Sequence, residues 1–414
     1  MNQSKPQTLK GFRDFLPDDM RVRNYVKKIC IEAFEQFGFE PLETPTLEYA
    51  STLMGKYGKE ADKLVYKFKD NGDRDVGLRY DLTVPTAKVL SIYQQQLPLP
   101  FKRYQIQSVW RADKPQKGRY REFTQCDIDT FGPPSPLNDA EMVAVIYTIL
   151  QKLNFKKYQI KINSRQVLFE IITRSGLEEQ KFTVLQSVDK LSKIGYDGVQ
   201  KELISKDISQ EQIELLFKYV KEAQPDDYLK SVFSKLSEFG VPQSAYSFDP
   251  TIVRGLDYYT GPIFETYVEE PKIGSITGGG RYDNLVSSLG GPNISAVGTT
   301  LGFDRIVDCI IELKLLPQLQ TSTTKVMVAN FGLDTEKEAI GLATTLRANK
   351  IATMLYPTFD KLGKQFAYAD AKKIPFVAAI GSDEAKAGKI MLKNMAKKEQ
   401  TLVSQEDLLS ILMI

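Results

Sequence analysis

The sequence predicts an α+β protein with a large strand-rich domain, a helical insertion within that domain and a small C-terminal α/β domain. Three observations support this prediction. The chain has 414 residues, which is more than one hydrophobic core usually organises. Strand-like segments separated by turn clusters dominate its first part, and strands alternate with helices in its last part.

An amphipathic helix is the first predicted element. Apolar residues recur at helical spacing over residues 21–37, and Gly38 follows where helices usually stop. The next segments are rich in Val, Tyr, Phe and Ile and are separated by turn clusters such as DNGDRD, which predicts strands. Successive helical patterns then replace them over residues 166–240, which predicts a helical insertion.

Glycine-punctuated, strand-like sequence returns over residues 248–305 and is followed by a polar linker at residues 316–324. We therefore expect a first domain at residues 1–318 and a second at residues 325–414. The formal charge of +3 comes entirely from the C-terminal end of the chain. This excess mildly favours a module there that binds a polyanion.

Composition excludes several classes of protein. Hydrophobic residues make up 42% and charged residues 26% of the chain, as in ordinary globular proteins. No apolar stretch could span a bilayer and no signal-peptide core is present, so we expect a cytoplasmic protein without a membrane partner. The three cysteines lack C-x-x-C spacing and the chain has no histidine, which argues against zinc sites and excludes Ser-His-Asp triads. No protein-bound metal is predicted.

The most informative segment is VWRADKPQKGRYREFTQCDIDTFG, which predicts two antiparallel strands joined by a basic turn. On the second strand, the two-residue period places Phe123, Gln125, Asp127 and Asp129 on one face. A buried sheet face rarely carries an amide and two acids, so this pattern predicts a binding surface. The basic residues suited to phosphate oxygens are Arg111, Lys114, Lys117, Arg119 and Arg121. A solvated basic hairpin is the alternative that this segment alone leaves open.

Together with LRYDLTVP, VRGLDYYTGPIFE, GGGRYDNLV and GTTLGFDRI, this segment resembles the histidyl-tRNA synthetases, a family of class II aminoacyl-tRNA synthetases. The blocks follow the family order over nearly the whole chain. Pro45 matches the proline of motif 1 at the family's dimer interface. The resemblance implies a six-stranded antiparallel class II sheet, a C-terminal anticodon-binding domain and a homodimer.

The resemblance also implies that the chain activates L-histidine with ATP and Mg²⁺ and loads it onto tRNA(His). Asp129 and Tyr259 match the positions that hold the two ring nitrogens, and Asp81, Thr83 and Gln125 supply acceptors for the α-ammonium group. The complete set implied for histidine binding is Asp81, Leu82, Thr83, Arg111, Gln125, Asp129, Arg254, Tyr258, Tyr259 and Tyr282.

For ATP, Arg111 and Arg305 match the two class II arginines that hold the α- and γ-phosphates, and Phe123 matches the ring that stacks on adenine. Arg254 matches a family arginine at the α-phosphate, and it completes the implied catalytic set with Arg111 and Arg305. Its alternative role is a surface ion pair with Asp257. The complete set implied for ATP binding is Arg111, Asp113, Arg119, Tyr120, Phe123 and Arg305.

Gln116 matches the position in the motif 2 loop that the family uses near the extra 5′ guanosine of its tRNA. Two binding proteins are the alternatives to an enzyme. One is a histidine-binding regulatory paralogue of ATP phosphoribosyltransferase, and the other is a tRNA-sensing pseudo-synthetase. Such regulatory paralogues typically lack the C-terminal domain and the RGLDYYTG block, and both are present in this chain.

Overall fold

The computed structural model describes residues 5–56, 62–116, 118–254, 258–317 and 322–413. Lys117, Asp257 and the expected boundary at residue 318 lie outside the described residues. The chain divides into two compact units, Met1–Leu316 and Pro317–Ile414. Each unit buries hydrophobic clusters of its own.

The strands of the first unit are β1 (Glu40–Pro41), β2 (Leu47–Tyr49), β3 (Lys67–Lys69), β4 (Asp75–Leu78), β5 (Phe101–Trp110), β6 (Glu122–Phe131), β7 (Tyr158–Ser164), β8 (Tyr246–Phe248), β9 (Pro262–Val268), β10 (Thr277–Arg281) and β11 (Ala296–Gly302). Eight of them form a sheet in the order β1-β5-β6-β11-β10-β9-β7-β8, and β2, β4 and β3 form a smaller sheet. The expected antiparallel six-stranded sheet is the central part, from β5 to β7. The short strands β1 and β8 add a parallel edge on either side, and their two and three residues are too few to produce a recognisable period.

The helices of this unit are α1 (Pro17–Gln36), α2 (Ala50–Leu53), α3 (Thr83–Tyr93), α4 (Pro136–Lys152), α5 (Arg165–Arg174), α6 (Lys181–Val188), α7 (Leu191–Ile204), α8 (Gln210–Glu222), α9 (Asp227–Glu238) and α10 (Phe303–Glu312). Helix α1 begins four residues earlier than its apolar period, because a proline in the first turn and two acidic residues after it favour a helix start. Helices α5 to α9 all lie between β7 and β8.

The core of the first unit lies against one face of β6. Cys126 and Ile128 are fully buried there, in the same cluster as Phe34 of α1 and Ile146 of α4. This face is the apolar half of the two-residue alternation in β6, so the polar half points to the other side of the sheet. The sheet therefore carries its core on one face and a polar surface on the other.

The second unit has the strands β12 (Val326–Val328), β13 (Thr353–Leu355), β14 (Phe376–Ala379), β15 (Ile390–Asn394) and β16 (Glu399–Val403) and the helices α11 (Glu336–Ala348), α12 (Leu362–Ala371), α13 (Ser382–Ala387) and α14 (Gln405–Met413). Its sheet has the order β13-β12-β14-β15-β16. The first three strands pair in parallel and the last two are antiparallel. Alternate residues of β12 enter two separate hydrophobic clusters, so both faces of this sheet are covered. The predicted alternation of strand and helix is confirmed.

Within the described ranges, none of the helices combines the length and the apolar character that a membrane crossing requires.

Candidate active site

A cavity of about 430 Å³ lies over the polar face of the central sheet. The predicted site residues that line it are Asp81, Thr83, Arg111, Asp113, Arg119, Tyr120, Phe123, Gln125, Asp129, Arg254, Tyr258, Tyr259, Tyr282 and Arg305. Two predicted residues do not line it. The side chain of Leu82 is fully buried just before α3, and Gln116 is exposed near the tip of the hairpin between β5 and β6.

The floor of the cavity is set by the register of β5, β6 and β11. Residues that pair across antiparallel strands point to the same face, so each residue of β6 on this face has one neighbour on either side. The three rows are Arg103–Asp129–Gly298, Gln105–Asp127–Thr300 and Gln107–Gln125–Gly302. Polar residues of β5 therefore lie beside the carboxylates of β6 on one side, and small residues of β11 leave space on the other.

Asp129 is held in place by two buried neighbours. Nη2 of Arg103 lies 2.5 Å from its Oδ2, and the hydroxyl of Tyr282 donates a hydrogen bond to its Oδ1. Burial raises the pKa of Asp129, whereas Arg103 and the bond from Tyr282 act to lower it. Gly298 is required beside it, because a Cβ at that position would lie 1.8 Å from Oδ1. The carboxylate is thus fixed before any ligand arrives.

Three tyrosines form an aromatic wall beside this carboxylate. The ring centres of Tyr258 and Tyr259 are 4.8 Å apart, and those of Tyr258 and Tyr282 are 5.6 Å apart. On the segment before α3, Asp81 accepts a hydrogen bond from the backbone N–H of Val84 at 3.0 Å, which ties its carboxylate to the first turn of that helix. This end of the cavity combines acids with aromatic faces.

Arg254 lines the same cavity, with its backbone in the left-handed region at φ 59°. A non-glycine residue in that region is strained, and such strain concentrates at functional sites. Its Nη1 pairs with Oε1 of Glu265 at 2.8 Å, and its Nη2 donates to the Tyr259 hydroxyl at 3.4 Å. Gly278 makes room for this guanidinium, because a Cβ there would lie 2.3 Å from Nη1. The alternative partner of Arg254, Asp257, lies outside the described residues.

Three guanidinium groups converge at the other end. Arg305 donates from Nη1 to the carbonyl oxygen of Ser275 at 2.8 Å, and Arg119 pairs through Nε with Asp113 at 3.1 Å. The pKa of Arg305 is lowered by burial and by the nearby positive charges of Arg119 and Arg111. Mutual repulsion of this kind is relieved by an anion, so this end suits phosphate groups.

The segment that precedes α1, together with the first turns of that helix, supports this cationic end. Asp304 accepts hydrogen bonds from Arg13 and Arg23, each at 2.7 Å, and from the backbone N–H of Thr124 at 2.9 Å. The guanidinium of Arg13 also lies 3.2 Å from the ring centre of Tyr120. The segment KGFRDFLP thus positions Tyr120 and the start of α10.

Several residues at the site were not predicted as functional. Asp127, Asp189, Glu265 and Asp304 line the cavity and Arg103 lies under it. The two-residue period already placed Asp127 on the polar face, but it gave no role to this residue. Arg103 and Glu265 become recognisable only from strand register, and Asp189 reaches the cavity from the helical insertion, where local sequence shows no sign of it.

Comparison with known proteins identifies the chain. A profile described as "Histidyl-tRNA synthetase" matches residues 11–306, and one described as "Anticodon binding domain" matches residues 325–413. A relative from Bacteroides fragilis named histidine–tRNA ligase is 40% identical over 454 residues, covering 99% of both chains. The chain belongs to the histidyl-tRNA synthetase family. The solved histidyl-tRNA synthetase of Nostoc sp. PCC 7120 has a TM-score of 0.84 at 30% identity and covers 100% of this chain and 99% of its own.

Membership of the histidyl-tRNA synthetase family does not favour the regulatory alternative. The Bacteroides fragilis ligase matches from end to end, and the anticodon-binding profile accounts for the second unit. A solved histidyl-tRNA synthetase of S. aureus, at 24% identity, has the same fold with a TM-score of 0.76 over 99% of this chain and 100% of its own. The fold class predicted from the sequence is confirmed, with eight strands in the large sheet where six were expected.

Proposed function

We propose that this chain is a histidine–tRNA ligase that converts L-histidine and ATP into histidyl-adenylate and pyrophosphate and then transfers histidine to the 3′ end of tRNA(His). The observation that supports it best is the division of one cavity into two chemically opposite ends. Carboxylates and aromatic rings line one end, and three guanidinium groups line the other. Such a cavity fits a cationic amino acid beside a polyphosphate.

In this proposal histidine binds at the acidic end. Asp129 accepts a hydrogen bond from one ring nitrogen and Tyr259 contacts the other, while Asp81, Thr83 and Gln125 receive the α-ammonium group. Burial makes these contacts selective, because a ligand without a matching donor leaves a buried polar group unpaired. The tyrosine wall supplies flat contacts for the imidazole ring.

ATP binds at the cationic end, with Phe123 against adenine and Arg111 and Arg305 on the phosphates. Arg119 and Tyr120 close over the nucleotide, and Asp113 accepts from the adenine amino group. Among the described residues, no group of three or more acidic or thiol side chains has the arrangement that could hold a metal ion. We therefore propose that Mg²⁺ arrives on the ATP phosphates and keeps mainly phosphate and water ligands, as this ion commonly does.

Arg254 connects the two ends, because it contacts Tyr259 on one side and pairs with Glu265 on the other. The histidine carboxylate is already ionised at neutral pH and can attack the α-phosphate without a general base. Negative charge grows on the α-phosphate in that step, and Arg254 would stabilise it together with Arg111 and Arg305. Glu265 would orient Arg254 until the substrates take its place.

The remaining partners follow from the family. The C-terminal unit would bind the anticodon stem of tRNA(His), and the exposed amide of Gln116 would contact the extra 5′ guanosine. We also propose a homodimer, with Pro45 near its interface, and a location in the cytoplasm, where tRNA charging supports translation.

The decisive experiment is ATP–pyrophosphate exchange by the purified chain with each amino acid in turn. We expect exchange that depends on histidine, followed by charging of tRNA(His). A protein that binds histidine but exchanges no pyrophosphate would instead support the regulatory alternative. Removal of residues 325–414 should cripple tRNA charging and preserve most histidine activation, because every residue assigned to histidine or ATP precedes this segment.

A further inference from the structure

The middle row of the cavity floor contains an acid to which the proposed function gives no role. Asp127 lies between Asp129 and Gln125 on the polar face of β6, lines the cavity and is only 3% exposed. Its Oδ1 has no hydrogen-bond partner among the described residues. Gln105, its neighbour on β5, gives its amide hydrogens to Thr44 and Gln107 and therefore does not donate to Asp127.

The charges around Asp127 do not balance. Asp127 and Asp129 lie side by side on β6, and Arg103 is the cation that interacts with both. If both acids were ionised, one negative charge would be left over. The proposed function places the α-ammonium group of histidine at Asp81, so this buried negative charge would still be uncompensated. Such a charge is costly in a buried site, and a single proton removes it.

Resting on the proposed function, we propose that Asp127 is a further specificity residue of the histidine site, and that the bound complex holds one proton shared between Asp127 and the imidazole ring. The ring then binds either as imidazolium beside an ionised Asp127 or as neutral imidazole beside a protonated Asp127. Alternate residues of a strand are about 7 Å apart, so Asp127 faces the same ligand as Asp129. The unpartnered Oδ1 supplies the atom that interacts with it.

The groups facing Asp127 support this assignment. Burial raises the pKa of Asp127 to about 7, against the opposing effects of Arg103 on β5 and of a hydrogen bond with Thr300 on β11. Asp129 on its own strand and Asp81 before α3 raise this pKa further. The chain has no histidine, so Asp127 provides a protein group that changes charge in the range where free histidine, with a ring pKa of about 6.5, also does.

Proton linkage gives the inference a distinctive signature. Above about pH 7, free Asp127 is ionised and free histidine is neutral at its ring, so binding must take up a proton and affinity falls with pH. Below about pH 6.5 both groups are protonated before binding, so binding must release one proton and affinity falls again. The loss of histidine affinity above pH 7, the alkaline fall, is caused by ionisation of Asp127. The loss below pH 6.5, the acid fall, is caused by protonation of the imidazole ring.

The experiment measures histidine affinity of the full chain by calorimetry from pH 5.5 to 8.5. For the unmodified protein we expect an optimum near pH 7, a loss of up to about tenfold per pH unit above pH 7.5, and uptake of about one proton at pH 8. Asp127→Asn should lose the alkaline fall and the proton uptake and keep the acid fall. Titration of the α-amino group of histidine changes the affinity equally for the unmodified protein and for Asp127→Asn, so it cancels when the two are compared. Asp189→Asn, which removes another acid of the same cavity, is the matched control and should keep the alkaline fall.

A triazole analogue of histidine, whose ring stays neutral in this range, gives a test that needs no variant. With the unmodified protein it should lose the acid fall and keep the alkaline one. An alkaline fall that persists in Asp127→Asn, or that disappears when the analogue binds the unmodified protein, would overturn the role of Asp127. Absence of histidine binding and of pyrophosphate exchange at every pH would overturn the proposed function instead, so the two failures are distinguishable.

Discussion

The two ends of the cavity hold their charged groups in different ways. At the acidic end, where we propose that histidine binds, Arg103 and Asp129 are almost fully buried and form an ion pair at 2.5 Å. At the cationic end, where we propose that ATP binds, 54% of the Arg119 side chain is exposed, and Arg111 and Arg305 are half-buried. Asp129 at the acidic end has its counter-charge built in, whereas the cations of the other end repel one another.

This difference suggests that the two ends select their ligands by different means. A buried and prearranged polar group rejects any ligand that fails to satisfy it, since the unmet partner remains buried. Exposed guanidinium groups attract any polyphosphate by charge and can adjust their side chains to it. Selectivity for the amino acid should therefore reside in the rows of the sheet, and affinity for ATP in the movable arginines.

The largest effect should come from the residue that connects the two ends. Arg254→Ala should lower the rate of pyrophosphate exchange by at least about 100-fold, or about 3 kcal/mol, because one charge is lost where the α-phosphate becomes more negative. Quenched pyrophosphate-exchange assays measure this loss, and an unchanged circular dichroism spectrum shows that the variant is folded. Exchange at the parental rate would remove Arg254 from the catalytic set.

Substitution of one aspartate at each end of the cavity tests directly whether the two ends bind different substrates. Asp129→Ala should raise the KM for histidine about 100-fold and leave the KM for ATP within about threefold. Asp113→Ala should do the opposite with a smaller amplitude, since Asp113 pairs with an exposed arginine. Steady-state exchange kinetics with each substrate varied provide the measurement. Equal changes in both KM values for either variant would contradict the division of the cavity.

Two glycines of β11 test whether the position of the Asp129 carboxylate matters as well as its presence. A Cβ on Gly298 would lie 1.8 Å from Oδ1 of Asp129, whereas the nearest atom to a Cβ on Gly302 is the carbonyl oxygen of Ile276 at 3.1 Å. Gly298→Ala should therefore raise the KM for histidine by roughly tenfold, because small displacements in a site of this kind weaken binding. Gly302→Ala is the control and should change this KM little.

The smallest predicted effect is that of salt. Raising ionic strength from about 0.05 M to about 0.5 M shortens the screening length severalfold, so the KM for ATP should rise a few-fold through the exposed Arg119. The KM for histidine should change less, because solvent ions do not reach a buried ion pair such as Arg103–Asp129. A parallel series of exchange assays with both substrates compares the two. A stronger salt dependence for histidine would reverse the assignment of the ends.

The alternation of side chains along a single strand explains which parts of the site the sequence could predict. Phe123, Gln125 and Asp129 share the polar face of β6 because side chains of a strand alternate, and all three line the cavity. The edge strands β1 and β8 escaped prediction because a strand of two or three residues has no period. Asp189 escaped it because it directly follows α6, whose sequence carries no pattern that points to a cavity.

By itself, the sequence determined the first long helix, the helical insertion, the hairpin of β5 and β6 with its polar face, and the family blocks in their order, since these depend on residues close together in the chain. Only the tertiary structure decided that Arg103 supports Asp129, that Gly298 leaves room for its carboxylate and that Glu265 pairs with Arg254. The reason is strand register. A shift of one residue between β5, β6 and β11 would turn each partner to the opposite face, and that register is set by the packing of the whole sheet.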